Sequence, residues 1–258
     1  VGGTLIVFFL ELLKRVNKDY HFDNNLLIKL MIATTNARYR FYKDPNSQDQ
    51  LNQLLTQDIL DYYSNAVSRN SILDINDFLD NGLGSTTHVS IIDRMGNASS
   101  ITTTNGESCG HIIPGTGVIL NNMLGEQDLN PLGFHNWIDK KRMPTLISPS
   151  MIIDKNGEVH LTVGSAGSNR IRSAISQVMM NYLIKEMNLR EAVNAPRLHL
   201  ENSDLFVEPD IKIDSLGDLG SLSINKFKDL NLFFGGVNAV SKNEAVSDPR
   251  RGGFSIEC

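Results

Sequence analysis

The spacing of apolar residues changes near residue 85, and this change restricts the fold more than any other feature of the chain. Before it, apolar residues recur at helical intervals; after it, apolar and polar residues alternate as in strands. Helices followed by hairpins and further helices predict a mixed α/β protein. With 258 residues and 41% apolar content, the chain can bury one large core or form two small domains.

Three helices are predicted in the first third. Leu5–Lys14 is apolar on all sides, as in a buried helix, and the wider apolar stretch Val1–Leu13 is too short to span a bilayer, so we expect no membrane contact. The second helix follows the capping cluster Asp23–Asn25, and the third follows Asp44-Pro45. Their helical spacing is carried by Leu27, Leu30, Met31 and Thr34, and by Leu51, Leu54, Leu55 and Ile59. The polar stretch Ser64–Ser85 has little periodicity and predicts an exposed linker.

Two β-hairpins are predicted after residue 85. They pair His88–Asp93 with Ala98–Thr104, and Met151–Asp154 with Glu158–Val163. The second turn contains Asn-Gly, which favours the positive φ of a tight hairpin. A glycine-containing loop then leads into a predicted helix over Asn169–Met187. The remaining predicted elements are a short helix Leu189–Ala195 ended by Pro196 and two strand-like segments, Leu198–Val207 and Asn231–Ser241.

Composition excludes several classes of partner. The chain has 24 basic and 29 acidic residues, a net charge of −5 and only 7% aromatic residues, so nucleic acid is not an expected partner. Cys109 and Cys258 are too far apart to suggest a disulfide framework or a metal knuckle. The six histidines show no metal-ligand spacing, and we predict neither a metal nor a cofactor.

The peptide bond between Ser85 and Thr86 is the candidate for self-cleavage. A threonine hydroxyl inside a chain is a poor nucleophile, but at a chain start its own α-amine, with a pKa of about 7.7 to 8.0, can accept the hydroxyl proton. The hydroxyl must first attack the Ser85 carbonyl in an N-to-O acyl shift, and the small Gly84-Ser85 pair leaves room for that geometry. One residue would then supply both nucleophile and base.

A second nucleophile pattern is present but poorly placed. Gly106–Gly110 fits the G-x-S-x-G elbow of serine hydrolases, with Ser108 as nucleophile. That elbow must open a helix, whereas residues 111–117 are β-branched and interrupted by proline and glycine. Cys109 has no supporting context beyond a histidine two residues on. We therefore favour Thr86.

An ordered series of motifs extends across nearly the whole chain. It comprises Thr86-Thr87-His88, Asp93–Asn97, Thr102–Thr104, Pro114–Gly117, Leu120–Asn122, Gly164–Arg170 and Asp248–Gly253. This series resembles the γ-glutamyltranspeptidases, which are N-terminal-nucleophile hydrolases. Any single member would be weak, but their order and spacing make the resemblance specific. We assign His88 and the turn Asp248–Gly253 structural rather than chemical roles.

The resemblance implies a fold and a division of the chain. The family architecture is a four-layer αββα sandwich. Residues 1–85 would be the C-terminal part of a large subunit and residues 86–258 the small catalytic subunit, remaining associated after cleavage. Because the chain starts at Val1 in mid-pattern, the first part of the large subunit, with its carboxylate-binding arginine, is expected to be missing.

The resemblance also implies site residues. Thr104 would bond the nucleophile Thr86, and the amides of Gly167 and Ser168 would form the oxyanion hole, although the family more usually has glycine at the position of Ser168. Glu126 would hold the substrate α-amino group. The serine pair that grips the α-carboxylate corresponds to Thr145 and Leu146, so half of that grip is absent.

The expected reaction is transfer of a γ-glutamyl group, with glutathione as default donor, to water, an amino acid or a dipeptide. Two other readings stay open. The chain could be a catalytically silent fragment, or an acylase that keeps the nucleophile but accepts a different amide.

Overall fold

The computed structural model describes residues 1–17, 23–42, 52–69, 71, 86–126, 129–130, 133–137, 140, 142–213 and 222–257. The helices are α1 (Gly2–Val16), α2 (Asn24–Phe41), α3 (Gln57–Ser68), α4 (Arg170–Leu183) and α5 (Leu189–Asn194). The strands are β1 (Thr86–Ile92), β2 (Ala98–Thr104), β3 (Ser150–Ile153), β4 (Val159–Ala166), β5 (Leu198–Glu201), β6 (Asp204–Val207), β7 (Ser223–Lys226), β8 (Gly236–Ser241) and β9 (Ala245–Val246).

Helices α1 to α3 form one packed unit. Asp23 caps α2, as predicted, by accepting a hydrogen bond of 2.7 Å from the amide of Leu26. In α1 the side chains of Phe8 and Leu12 are fully buried, and Phe8 meets Tyr63 of α3 edge-on with ring centroids 5.3 Å apart. Burial of this aromatic and aliphatic surface stabilises the unit.

The prediction for the third helix was partly wrong. A 3₁₀ turn, Gln53–Leu55, precedes α3, and α3 continues to Ser68, so the first residues of the predicted Ser64–Ser85 linker are helical. The buried face of Leu60, Tyr63 and Val67 holds this last turn although its other faces are polar. Leu51, Asp44-Pro45 and residues 72–85 lie outside the described residues.

Helix, sheet and hairpin form successive layers in the remainder of the chain. The central sheet has the strand order β3-β4-β8-β9, with α4 packed on one face and the antiparallel β1-β2 hairpin on the other. Where α4 packs on the sheet, the side chains of Val163 and Val237 of the sheet and Ile175 of α4 are fully buried. The outer face of the hairpin exposes Val89 and Ile101, and no described helix covers it. Three layers of the expected four are therefore in place.

Three other predicted boundaries needed correction. Leu198–Val207 is not one strand but the hairpin β5-β6, which turns at Asn202 with φ of 54° and pairs with β7 in a second sheet. Asn231–Ser241 begins as a 3₁₀ turn before β8. Helix α4 ends at Leu183, before the predicted Met187. Within the described part of the chain, every helix is too short or too polar to cross a bilayer.

Candidate active site

The pairing of β1 with β2 places Thr86 directly opposite Thr104. The Asp93 carboxylate closes the turn by accepting two backbone hydrogen bonds of 2.8 and 2.9 Å, which fixes this register. The two threonine hydroxyl oxygens lie 3.1 Å apart, and Thr104 Oγ1 also accepts from the Gly106 amide at 3.0 Å. In this pair the Thr86 hydroxyl donates to Thr104 Oγ1. Since a hydroxyl has one donor and two acceptor positions, Thr104 can also accept from Gly106, and it can donate its own proton to Thr86 once the Thr86 hydroxyl has lost its proton.

The Asn-Asn pair fastens the next loop to the end of β2. Asn121 Nδ2 donates to the Thr104 carbonyl at 2.7 Å, and Asn122 Oδ1 accepts from the Glu107 amide at 2.8 Å. Glu126 follows the short 3₁₀ turn after this pair. The loop thus holds the Glu126 carboxylate on the same side of the sheet as the threonine pair.

The glycine loop between β4 and α4 adopts a backbone that L-residues rarely use. Gly167 has φ of 129°, and a Cβ there would come within 2.9 Å of Gly235 Cα, so glycine is required. Ser168 has φ of 51°. The Gly167 carbonyl accepts a hydrogen bond of 3.0 Å from the Arg170 amide and so points toward the first turn of α4. Because a peptide unit is planar and trans, the Ser168 N–H points the opposite way.

Five of the sequence-predicted residues line one open cleft, whose volume of about 320 Å³ includes space that is open to solvent. Thr86, Thr104, Glu126, Thr145 and Ser168 all line it. Gly167 adjoins Ser168, and Ser85 lies outside the described residues. The remaining lining residues are apolar: Met123, Leu129, Leu146, Ile147 and Ile171.

Sequence reasoning did not assign Leu129, Ile147 or Ile171 to the site. Ile171 was visible only as a member of the apolar stripe of α4, which faces both the core and the cleft. Leu129 and Ile147 carry no sequence signal, because an apolar wall residue in a loop cannot be told from any other buried loop residue.

His88 occupies a structural position beneath the threonine pair. Its Nδ1 lies 2.7 Å from Thr102 Oγ1 and its Nε2 2.8 Å from Ser90 Oγ. The imidazole packs flat on Gly164, where a Cβ would come within 2.2 Å of the ring. Burial lowers the pKa of His88 to about 4, so the ring is neutral at physiological pH. The His88 ring therefore fills the interface between hairpin and sheet as an uncharged group that hydrogen-bonds Thr102 and Ser90.

The other candidate nucleophiles lie in a turn. Ser108 has φ of 70°, and residues 109–120, all of which the structure describes, contain no helix. Cys109 is exposed, and its Sγ lies 3.2 Å from the Leu120 carbonyl; Cys258 is outside the described residues. Among the residues that the structure describes, no group of three or more His, Cys, Asp or Glu side chains is placed to hold a metal ion.

A buried ion network lies next to Gly235, the residue that packs against Gly167 of the glycine loop. Asp248 bonds Arg197 at 2.7 Å and Arg250 at 3.2 Å, and Arg250 also bonds Glu208. Arg251, next in the chain, packs along Gly236, where a Cβ would lie 2.7 Å from Arg251 Cδ. The turn Asp248–Gly253 therefore holds the start of β8 in place beside the glycine loop.

Residues 1–258 match the family profile described as Gamma-glutamyltranspeptidase. The glutathione hydrolase proenzyme of Bacillus subtilis (strain 168) is 31% identical over 182 residues, which make up 67% of this chain and 31% of that protein. The acylase ACY 1 proenzyme of Pseudomonas sp. (strain SE83) is 33% identical over 163 residues, 61% of this chain and 28% of that protein. The chain thus spans about a third of the length of these relatives.

Among solved structures, the gamma-glutamyltranspeptidase from Pseudomonas nitroreducens complexed with L-DON superposes with a TM-score of 0.56 and 26% sequence identity. The match covers 67% of this chain and 99% of that chain.

Proposed function

This chain belongs to the γ-glutamyltranspeptidase family, and on that premise we propose that Thr86 becomes the N-terminal nucleophile of a γ-glutamyl-transferring amidohydrolase. The observation that carries the proposal is the 3.1 Å pair of hydroxyls, Thr86 and Thr104, at the edge of a cleft that Ser168 and Glu126 also line.

The first step is self-cleavage. The Thr86 hydroxyl attacks the Ser85 carbonyl carbon, the peptide C–N bond breaks, and the acyl group moves from nitrogen to oxygen. Water then hydrolyses the ester and leaves a Ser85 carboxylate and a free Thr86 α-amine. Residues 1–85 and 86–258 become separate chains. Contacts of α1 and α2 with α4 and β5, and a 3.2 Å hydrogen bond from the Gly2 amide to the Thr145 carbonyl, favour their continued association.

The second step is acyl transfer. The free α-amine of Thr86 accepts the proton of its own hydroxyl, which attacks the γ-amide carbonyl. Thr104 donates to the Thr86 oxygen, while the amides of Gly167 and Ser168 stabilise the oxyanion. The protonated amine gives its proton to the leaving amine, and a γ-glutamyl ester remains on Thr86. Water or an acceptor amine then attacks that ester and regenerates the free hydroxyl.

We assign substrate binding to two polar residues that line the cleft, Glu126 and Thr145. The Glu126 carboxylate would pair with the α-ammonium group, and the Thr145 hydroxyl would hydrogen-bond the α-carboxylate, next to the apolar Leu146. The family relatives include a glutathione hydrolase proenzyme, which supports glutathione as the first donor to test.

The test is release of p-nitroaniline from γ-glutamyl-p-nitroanilide, with Thr86→Ala as control. We expect turnover by the processed chain, acceleration by a dipeptide acceptor, and none by Thr86→Ala. Equal release by the Thr86→Ala chain would refute the assignment of the nucleophile.

One observation favours a second candidate, an acylase. Half of the cleft lining is apolar, the described lining residues include neither Lys nor Arg, and an acylase proenzyme is among the relatives. A processed chain that ignores γ-glutamyl-p-nitroanilide but cleaves an aliphatic acyl p-nitroanilide is the result that selects this candidate. A chain that stays whole and hydrolyses neither substrate is a silent fragment.

A further inference from the structure

The glycine loop at residues 167–168 is tied to distant elements by the side chain of Asn169. This residue occupies the N-cap position of α4, where an asparagine normally accepts a backbone hydrogen bond from the first turn. Here its side chain makes no such bond. Asn169 Oδ1 instead accepts from Arg38 of α2 at 3.2 Å, and Nδ2 donates to Glu201 of β5 at 2.9 Å.

The other oxygen of Glu201 faces two further side chains at distances longer than a hydrogen bond. His199 Nε2 lies 3.6 Å and Arg170 NH1 3.9 Å from Glu201 Oε2. Arg38 and Asn169 are 6% and 7% exposed, so these bonds are shielded from water and stronger than surface contacts of the same length. Arg38, Asn169 and Glu201 form one linked row, which we call the clamp.

The loop needs such support. Ser168 lies in the left-handed region, which is disfavoured for a residue with a Cβ, and that conformation persists only where its surroundings impose it. Asn169, directly after Ser168, is the point at which a tertiary bond can fix the peptide planes of the loop. Release of Asn169 would let Ser168 relax toward negative φ, which would change the orientation of its peptide N–H.

We propose that the clamp is a positioning device for the oxyanion loop, in which Arg38 and Glu201 hold Asn169 and thereby fix the backbone of Gly167 and Ser168. Arg38 precedes the proposed cleavage position and Asn169 follows it. The segment 1–85 therefore contributes to the catalytic geometry across the two processed chains, without touching the substrate. The loop's assignment as oxyanion hole rests on the proposed function; the physical restraint does not.

Hydrogen–deuterium exchange tests the restraint without any requirement for activity. In a Thr86→Ala background, Arg38→Met and Asn169→Leu are expected to speed amide exchange over residues 166–171 about tenfold, the effect of losing one buried charge-assisted hydrogen bond. Arg40→Met, an exposed arginine on the same helix, is the matched control and should leave that exchange unchanged. The hairpin at 151–161 is the internal reference for global stability.

Every outcome of the exchange experiment either supports or overturns the proposal. Faster exchange confined to the loop in either clamp variant supports the proposal, so one variant that fails to fold does not end the test. Loop exchange equal to that of Arg40→Met overturns the proposal, and so does acceleration shared with the hairpin at 151–161, which would make the clamp a general stabiliser.

Kinetics then test the link to catalysis. With Thr86 restored, the clamp variants should lower kcat for γ-glutamyl-p-nitroanilide about tenfold with KM unchanged, because the oxyanion charge exists only in the transition state. A rise in KM at constant kcat contradicts a role at the oxyanion loop. Absence of turnover in the unsubstituted chain would refute the proposed function, while the exchange result would still decide the clamp.

Discussion

Asp248→Asn removes one negative charge from a buried cluster of charged side chains. The side chain is 1% exposed. One oxygen accepts from Arg197 at 2.7 Å and from the Val237 amide at 2.8 Å, and the other accepts from the Arg250 side chain at 3.2 Å and its amide at 2.9 Å. With Glu208, the network balances two positive by two negative charges, and the substitution leaves it with one uncompensated positive charge.

The expected loss in the free energy of unfolding is about 3 to 5 kcal/mol, the range found when one partner of a buried ion pair is removed. Asparagine keeps one acceptor oxygen but turns an amide NH₂ toward donors that all need an acceptor. Domains are stable by only about 5 to 15 kcal/mol, so the loss is a large share of the total. For a chain of this size it lowers Tm by roughly 10 °C.

Urea unfolding followed by far-UV circular dichroism measures this loss. Asp154→Asn is the matched control, since Asp154 also accepts several hydrogen bonds but sits in an exposed turn. We expect its effect on the free energy of unfolding to be much smaller than that of Asp248→Asn, because solvent screens the charge of an exposed carboxylate. Equal, small losses for both variants would show that the network carries no net stability and would refute the reasoning.

Burial alone raises the pKa of Asp248, but Arg197 and Arg250 outweigh it and hold the pKa below its ordinary value. A lowered folded-state pKa contributes stability that is present above the unfolded pKa near 3.9 and is lost as the pH falls further. The difference in unfolding free energy between Asp248→Asn and the unsubstituted chain should therefore shrink below about pH 4. A difference that stays constant down to pH 2 would contradict this.

Three further predictions address the active site and its support. Thr104→Val should slow hydrolysis about tenfold to a hundredfold, as expected for loss of a hydrogen bond to a charged group, whereas Thr104→Ser should retain most activity; initial rates with γ-glutamyl-p-nitroanilide measure both. The pKa of His88 is about 6.5 in the unfolded chain and about 4 in the folded chain, so the fold is most stable above pH 6.5, where the ring is neutral in both states, and loses stability as the pH falls toward 4. The urea midpoint should fall over this pH range, and His88→Gln should make it less dependent on pH. Gly164→Ala should destabilise the chain by about 3 kcal/mol because its Cβ meets the His88 ring. Gly3→Ala, with nothing near its Cβ, should instead stabilise α1 by about 1 kcal/mol. Thermal unfolding should show a lower Tm for the first variant and a higher Tm for the second.

Local sequence signals predicted the parts of the fold that depend on local structure. The turn after Asp93 and the alternation on both sides of it predict the hairpin whose register pairs Thr86 with Thr104, because a short turn determines register. The capping aspartate at 23 and the Asn-Gly turn at 156–157 likewise mark the observed start of α2 and the observed β3-β4 hairpin.

Features that depend on distant residues could not be predicted in this way. The bond between Arg38 and Asn169 joins positions 131 residues apart, and neither residue carries a pattern that names the other. The same holds for Asp248 and Arg197. The break between β5 and β6 was missed because Asn202 and Ser203 are only a weak turn signal within an otherwise strand-like run.

The most direct test of the central claim is the identity of the amino terminus after purification and incubation of the folded chain. Intact-mass spectrometry and N-terminal sequencing should find two species, one of which starts Thr-Thr-His-Val at Thr86, while the Thr86→Ala chain remains whole. If the unsubstituted chain also stays intact through prolonged incubation, or if Thr86→Ala is cut at the same bond, the account of Thr86 as a self-generated nucleophile is contradicted.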